Sequence, residues 1–345
     1  MANRKILILS KELPPEVGGA GIVAETLYNG LKLNKVDVVI SKIPTHKGLA
    51  QVYSKFVILK FLILSLFYKT IVLNDLFFKK VWLTLFQGYV AKRCVIYLHG
   101  SEPEFLIKDE AYRVKFLRLC RNCKHIIAVS NFMKQKLLDA IEDESDKKSI
   151  EAKISVIRNG IDTSIFYNQS IEVPSTPLII VSASRLVKEK GFFTKAHIVK
   201  DLIYIHDVNV HWHIAGCGPD SAEIQDYINE LNLASHVTFH GALEQHALAD
   251  LYNHSHVFLL LSELQESLGL VYMEASCCGC YSIGKNLYGV KEAILEGQTG
   301  TLVNSNDEVI SIIHSLRVCQ LEIANTSCRA FSSHLMTQEI EKLLC

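Results

Sequence analysis

The chain has 345 residues, 49% hydrophobic and 21% charged, which predicts about two folded domains with buried cores and excludes a disordered protein. Its 36 basic and 36 acidic side chains give a formal net charge of +0, so no overall field would recruit nucleic acid or anionic lipid. The ten cysteines are scattered and MANRKILILS has no signal-peptide pattern, so we expect reduced thiols and a cytoplasmic protein.

Two features of the sequence bear on metal binding and on membrane contact. Cys120 and Cys123 form one C-x-x-C pair, which lacks the other two ligands of a zinc site, so we predict no metal. No run of 18 apolar residues is present, because lysines and an aspartate interrupt the most apolar stretch, 56–78. We interpret that stretch as a buried helix followed by a strand. The alternative is that the basic and aromatic side chains of 55–93 rest on an anionic membrane surface.

The first half of the chain alternates short β-rich runs with helical patterns. Such alternation is typical of a parallel, doubly wound sheet. The predicted strands are KILILS (5–10), VDVVIS (36–41), TIVLND (70–75), RCVIYLHG (93–100), HIIAVS (125–130) and ISVIRNG (154–160).

The second half repeats this plan after a polar segment with two prolines, 168–177, which we interpret as a linker. The sequence therefore predicts two Rossmann-like domains. Ligands of such sheets bind outside the carboxyl ends of the strands, so two facing domains would share one cleft. The predicted strands are PLIIVSASR, VHWHIAGCG, HVTFHG, HVFLLLS, CYSIGKN and GTLV.

Glycines and a histidine follow strands of the first half. Gly18 and Gly19, after the first strand, would let the backbone approach a ligand just before a helix begins. The segment is not G-x-G-x-x-G and lacks an acidic ribose partner, which argues against a dehydrogenase; the alternative is a glycine turn without a ligand. His99 follows the fourth strand and could exchange a proton near neutral pH, although a single histidine is more often structural.

Cations and glycines follow strands of the second half. Arg185 and Lys190 lie in the loop after its first strand, where two cations suit a diphosphate. The alternative is solvated surface charge. Gly216 and Gly241 end the next two strands and permit a close backbone approach to a ligand.

Two of the glutamates in the segment SELQESLGLVYMEA, Glu266 and Glu274, are eight residues apart. It predicts a buried strand, a loop with Glu266, and a helix that opens near Gly269. Backbone N–H groups at such an opening suit a phosphate or sugar oxygen. The alternative is a strand–helix connection with two solvated carboxylates.

In this order, these segments resemble the retaining nucleotide-sugar glycosyltransferases of GT-B fold with the E-X7-E signature, of the bacterial polysaccharide and lipopolysaccharide type. The resemblance spans about 11–303 and implies an acceptor-side domain (1–170), a donor domain (171–325) and a helix (326–345) that crosses back to the first domain. The matching segments are PPEVGGAG, HGSE, VSNFM, VIRNGIDTSIF, SRLVKEKG, IAGCGP, VTFHGAL, ESLGLVYMEA, GVKEAI and GQTGTLV.

The resemblance also implies a role for each matched residue. Glu266 would bind donor-sugar hydroxyls and support the charge that develops at the anomeric carbon. Glu274 would accept hydrogen bonds from the ribose. Arg185 and Lys190 would neutralise the leaving diphosphate, and His99 would face the reacting sugar. The other donor-binding residues would be Gly18, Gly19, Gly216, Gly241, Leu243, Leu268, Gly269 and Leu270.

The implied reaction is metal-independent transfer of a hexose or similar sugar, with retention, from a UDP or GDP type donor to a saccharide acceptor carried on a lipid. The nucleotide sugar would be a co-substrate, and no cofactor or nucleic acid is implied. Peripheral contact with the inner face of an anionic membrane would suit such an acceptor. The alternatives are a nucleotide-sugar-binding subunit without turnover and another GT-B enzyme, such as an epimerase or a phosphorylase.

Three features depart from the family pattern. Ser184 precedes Arg185 where glycine is usual, and NLYGVKE has one glycine, Gly289, where two are common. The segment 41–92 matches nothing specific. Acceptor recognition is expected there, so the acceptor stays open.

Overall fold

The computed structural model describes residues 6–10, 13, 19–41, 67–75, 90–100, 102–316 and 320–344. The chain divides into two compact units, the first comprising 1–160 and 333–345 and the second comprising 161–332. The resemblance to the glycosyltransferase family places the domain boundaries after residues 170 and 325.

The first unit contains a six-stranded parallel sheet in the order β2-β1-β3-β4-β5-β6. Its strands are short apolar runs with helices between them, and several are buried at every residue, as expected where helices cover both faces of a parallel sheet. The strands are β1 (Ile6–Leu9), β2 (Val38–Ser41), β3 (Thr70–Leu73), β4 (Cys94–Leu98), β5 (His125–Ala128) and β6 (Ile154–Val156).

Some of the described helices of the first unit begin after a polar N-cap residue. Ser130 accepts a hydrogen bond from the Met133 N–H at 3.1 Å, and Asp109 accepts one from the Tyr112 N–H at 2.9 Å. The helices are α1 (Gly19–Leu33), α2 (Glu102–Lys108), α3 (Glu110–Asn122), α4 (Asn131–Asp139) and α5 (Glu144–Glu151).

The second unit contains another six-stranded parallel sheet, in the order β12-β11-β10-β7-β8-β9. The doubly wound α/β fold predicted for both halves is therefore confirmed. The strands are β7 (Leu178–Ala183), β8 (Val210–Ala215), β9 (Val237–Gly241), β10 (Val257–Leu260), β11 (Tyr281–Lys285) and β12 (Gly300–Val303). The helices are α6 (Phe192–Tyr204), α7 (Ser221–Glu230), α8 (Gln245–Asn253), α9 (Leu270–Cys277), α10 (Val290–Ala293), α11 (Asn306–Ser315) and α12 (Gln320–Phe331).

The last two helices belong to different units. In the second unit, Ser327 of α12 donates a hydrogen bond to Ser276 of α9, at 2.7 Å between the hydroxyl oxygens. The final helix, α13 (Ser333–Leu344), packs in the first unit, where the Asn34 amide donates to the Glu341 carboxylate at 2.8 Å. The chain passes from one unit to the other at Ser332.

Each sheet has a switch point, where the strand order reverses. It lies between β1 and β3 in the first unit and between β7 and β10 in the second. Ligands of open parallel sheets bind at the carboxyl ends of the strands beside such a point. The loops after these strands are therefore the first places to look for a site.

The C-x-x-C pair lies at the C-terminal end of α3. Cys120 and Cys123 are buried, and the Cys123 thiol donates to the Cys120 carbonyl at 3.1 Å. Burial raises the pKa of the Cys123 thiol to about 12. Within the described part of the chain, no three His, Cys, Asp or Glu side chains are grouped as metal ligands, and no helix is long and apolar enough to cross a membrane. The run 56–66, predicted as a helix or a membrane contact, lies outside the described residues.

Candidate functional site

Two loops meet at the switch point of the second unit, the loop after β7 and the loop after β10. The Glu263 N–H donates to the Glu189 carbonyl at 2.7 Å, which joins the two backbones. Gly191 has a φ of 68°, and a Cβ there would lie 2.4 Å from the Leu261 carbonyl oxygen. Glycine is therefore required for this close approach.

An ion pair crosses the junction of these loops. The Lys190 ammonium contacts the Glu266 carboxylate, with only 14% and 18% of the two side chains exposed. A second backbone contact supports Glu266, whose carbonyl accepts from the Gly289 N–H at 3.0 Å. A Cβ at Gly289 would lie 2.1 Å from the Ser267 carbonyl oxygen, so the one glycine of NLYGVKE is required by packing.

Glu274 lies in a different environment from Glu266. It belongs to α9, is 7% exposed, and burial raises the pKa of its carboxyl to about 7. The helix begins after Gly269, whose φ is 94°, and is tied to β10 by a 2.7 Å hydrogen bond from the Tyr272 hydroxyl to the Leu260 carbonyl. One glutamate is thus ion-paired in a loop, and the other lies buried on a helix with its charge partly suppressed at pH 7.

The loops after β7, β8 and β9 lie side by side. The Gly216 N–H donates to the Gly241 carbonyl, and a Cβ at Gly216 would lie 1.9 Å from the Ser184 carbonyl oxygen. Gly241 has a φ of 66° and no atom within 4 Å of a Cβ built there, so its outer side is open. Arg185 is exposed at the end of β7. The remaining predicted donor-binding residues of this unit are partly or fully buried, namely Leu243, Leu268, Gly269 and Leu270.

The predicted residues of the first unit lie at its own switch point. His99 follows β4, and its Nε2 lies 2.9 Å from Asn74 Oδ1, at the end of β3. Gly19 begins α1, whereas Gly18 lies outside the described residues. Asn74 is not among the site residues predicted from the sequence; its polar side chain directly after a buried strand is the signal that points to it.

If Glu274 accepts hydrogen bonds from the ribose of a nucleotide sugar, as the resemblance implies, its raised pKa predicts that the affinity for this ligand depends on pH. A carboxylate accepts hydrogen bonds from ribose hydroxyls, and the fraction of carboxylate at Glu274 falls as the pH drops through about 7. Lowering the pH from 8 to 6 should weaken binding by up to about tenfold. Titration calorimetry with an intact nucleotide sugar, whose diphosphate does not titrate in this range, measures the effect. An equal pH dependence in Glu274→Gln would contradict this assignment.

Two family models match the chain in series. The model described as "Glycosyltransferase Family 4" matches residues 17–165, and the one described as "Glycosyl transferases group 1" matches residues 164–317.

Curated relatives share limited identity. N-acetyl-alpha-D-glucosaminyl L-malate synthase of Bacillus anthracis is 26% identical over 220 residues, covering 62% of this chain and 55% of that protein. The putative colanic acid biosynthesis glycosyltransferase WcaL of Salmonella typhimurium is 28% identical over 160 residues, covering 45% of this chain and 39% of that protein. The matched regions thus span 55% or less of these relatives' lengths.

A solved structure shares the fold of the whole chain. HepE of Anabaena, crystallised in complex with UDP and glucose, superposes with a TM-score of 0.74 at 19% identity, covering 99% of each chain. At this identity the likeness establishes the two-sheet architecture.

Proposed function

We propose that this chain, which belongs to the group 1 glycosyltransferase family and has the GT-B fold, transfers a hexose or similar sugar from a nucleoside-diphosphate donor to a saccharide acceptor. The observation that carries the proposal is the Lys190–Glu266 ion pair at the switch point of the second unit. It places a cation and a carboxylate where a parallel sheet binds its ligand. A cation can neutralise the diphosphate of a sugar diphosphate, and a carboxylate can bind the hydroxyls of its sugar.

The chemistry follows from where charge develops. Glycosyl transfer passes through an oxocarbenium-like state while negative charge grows on the leaving diphosphate. Lys190 and Arg185 would stabilise the diphosphate, and Glu266 would support the positive charge on the sugar. Glu274 would hold the ribose through its carboxylate. Before the donor binds, Lys190 and Glu266 neutralise each other, which lowers the cost of keeping both half-buried.

The finer features of the reaction are part of the proposal. We assign Glu266 to electrostatic support and positioning, and the acceptor to attack on the leaving-group face, so the anomeric configuration is retained. Two cations and the amides at 268–270 would supply the charge neutralisation, with no divalent metal and no cofactor beyond the nucleotide sugar. His99 would contact the reacting sugar from the first unit, and the glycines Gly18, Gly19, Gly216 and Gly241 would allow backbone approach to the donor.

The proposed acceptor is a lipid-linked saccharide of a cell-surface polysaccharide or lipopolysaccharide. The name of the WcaL relative, a putative colanic acid biosynthesis glycosyltransferase, supports this class. The proposed location is the cytoplasmic face of an anionic membrane, contacted through the basic and aromatic segment 55–93. Flotation with anionic vesicles tests the contact, and protein that stays entirely in the unbound fraction contradicts it.

A panel of UDP and GDP sugars tests the function. A donor present at 100 times its Kd should stabilise the native state by about 2.7 kcal/mol, which a thermal-shift assay detects. The stabilising donors are then incubated with saccharide acceptors, and release of the nucleoside diphosphate is measured. Binding without release under any acceptor would favour a nucleotide-sugar-binding subunit. Absence of both binding and release would refute the proposal.

A further inference from the structure

Polar side chains meet at the switch point of the first unit, after strands that are otherwise apolar. Ser10 follows β1, Asn74 and Asp75 follow β3, and His99 follows β4. Ser10 and Asn74 are 0% exposed and Asp75 is 6% exposed. Burying a polar group costs free energy unless the group is hydrogen-bonded, so the hydrogen bonds of these side chains show how each is held.

The bonds of Asn74 determine which of its amide atoms faces His99. The Asn74 Nδ2 lies 2.8 Å from the carbonyl oxygen of Ala20, in the first turn of α1. A carbonyl oxygen can only accept, so the atom facing it must be the NH₂ group. The Asn74 atom 2.9 Å from His99 Nε2 is therefore the oxygen Oδ1, which also only accepts. His99 must carry its hydrogen on Nε2.

The chain of bonds continues in one direction. Asn74 Nδ2 also donates to the Ser10 hydroxyl at 3.1 Å, and that hydroxyl donates to Asp75 Oδ2 at 3.2 Å. Apart from the bond from Asn74 to Ala20, the donors from His99 through Asn74 and Ser10 thus point towards the Asp75 carboxylate, and bonds aligned in this way reinforce one another.

The plane of the His99 ring is restrained separately. It stacks on the Tyr97 ring with centroids 4.6 Å apart and an interplanar angle of 4°. The Tyr97 hydroxyl in turn donates to Asn159 Oδ1 at 2.9 Å. Stacking fixes the plane of the imidazole, and the hydrogen bond to Asn74 fixes Nε2 as the ring nitrogen that faces Asn74.

We propose that Asn74, supported by Ser10 and Asp75, is a positioning residue that holds His99 as the Nε2–H tautomer. In a neutral imidazole with Nε2–H, the Nδ1 atom is an acceptor. His99 would then receive a hydrogen bond from a sugar hydroxyl through Nδ1 and would lose that ability when protonated. The statement that the ligand is a sugar rests on the proposed function, whereas the assignment of the His99 tautomer does not.

The tautomer is measured without any substrate. Long-range ¹H–¹⁵N correlation spectra of the ¹⁵N-histidine-labelled full chain distinguish the two tautomers, and His99→Gln identifies the His99 signals among the 14 histidines. We expect the Nε2–H pattern for His99 at pH 8. An Nδ1–H pattern, or rapid averaging of both tautomers, would overturn the proposal.

Asn74→Asp tests the role of the amide. A carboxylate facing Nε2 favours the imidazolium, so the pKa of His99 should rise by about one unit or more. Asn253→Asp is the matched control, because Asn253 is also buried, donates to two backbone carbonyls and accepts from one backbone N–H. It should leave the His99 titration unchanged. A His99 pKa unaltered in Asn74→Asp would contradict the proposal.

Ser10→Ala is a smaller perturbation, available if Asn74→Asp does not fold. It should raise the Nδ1–H fraction of His99, and retention of a pure Nε2–H pattern would confine the positioning role to Asn74.

The pH profile of turnover separates positioning from general destabilisation. If protonated His99 cannot accept the sugar hydroxyl, Asn74→Asp should move the acidic limb of the kcat profile upward by the same amount as the His99 pKa, with activity recovering at high pH. A purely structural role would lower kcat equally at all pH values. Asp75, Glu102 and Tyr97 are titratable side chains near His99, and burial raises the pKa of the Tyr97 hydroxyl. Comparison with His99→Gln separates their titration from that of His99. Wild-type protein that shows the tautomer but no transfer would refute the proposed function and leave the tautomer intact.

Discussion

Glu266→Gln is expected to lower kcat for glycosyl transfer by about 10²–10³ while leaving the Kd for the nucleoside diphosphate within a few fold of wild type. The amide keeps the shape of the side chain and its ability to bond a hydroxyl, but it removes the negative charge that we propose supports the oxocarbenium-like state. It also removes the charge partner of Lys190, whose ammonium is then available to the diphosphate. Product-release kinetics measure kcat, and calorimetry measures Kd.

A neighbouring glutamate provides the control. Glu263 lies in the same loop, but its carboxylate pairs with Lys285 at 3.2 Å and its side chain is 60% exposed. An exposed ion pair of this kind contributes little free energy, so Glu263→Gln should leave kcat nearly unchanged. If both variants lose activity equally, the effect belongs to the loop and not to the charge of Glu266. If Glu266→Gln turns over at the wild-type rate, its assigned role is wrong.

Lys195→Met is expected to stabilise the protein. Lys195 lies in the first turn of α6, fully buried, and its ammonium nitrogen has no hydrogen-bond partner within the described residues. The nitrogen lies 3.7 Å from the centroid of the Phe192 ring, inside an apolar cluster. Burial lowers the pKa of Lys195 well below its ordinary value, with the charge of Lys190 as a smaller cause. The lysine is thus a polar group buried among apolar side chains.

The expected gain is about 1–3 kcal/mol, the typical cost of an unsatisfied buried polar group. For a unit of this size that corresponds to a rise in Tm of roughly 2–12 °C. Because the pKa of Lys195 is lowered in the folded state, the unfolded chain binds a proton that the folded chain does not. The wild type should therefore gain stability as the pH rises towards the ordinary lysine range. The advantage of Lys195→Met should shrink between pH 7 and pH 9.5.

Thermal unfolding at several pH values measures this effect. Lys200→Met is the matched control, because Lys200 is on the same helix and remains partly exposed. It should change the free energy of unfolding by no more than about 0.5 kcal/mol. A Lys195→Met variant less stable than wild type at pH 7 would show that the buried amine makes a favourable interaction in the folded protein.

The sequence by itself determines the elements of this fold. Strands buried on both faces are predominantly apolar, so β1, β3, β4 and β10 can be recognised in the sequence as short continuous runs between helical patterns. A helix cap such as Ser130 depends only on neighbours within one turn, so it is encoded locally in the sequence. Strand ends carrying glycine or charge predict where a ligand would bind, since parallel strands present their carboxyl ends at one edge of the sheet.

Only the tertiary structure decided which of those residues meet. Lys190 and Glu266 are 76 residues apart, and their contact follows from β7 and β10 being neighbours in the sheet, which no local pattern encodes. Asn74 and His99 meet for the same reason, across β3 and β4. Glu266 and Glu274 look alike in SELQESLGLVYMEA, yet Glu274 is 7% exposed and burial raises the pKa of its carboxyl. Burial is a property of the packed chain, and so the chemical difference between two identical side chains appears only in the fold.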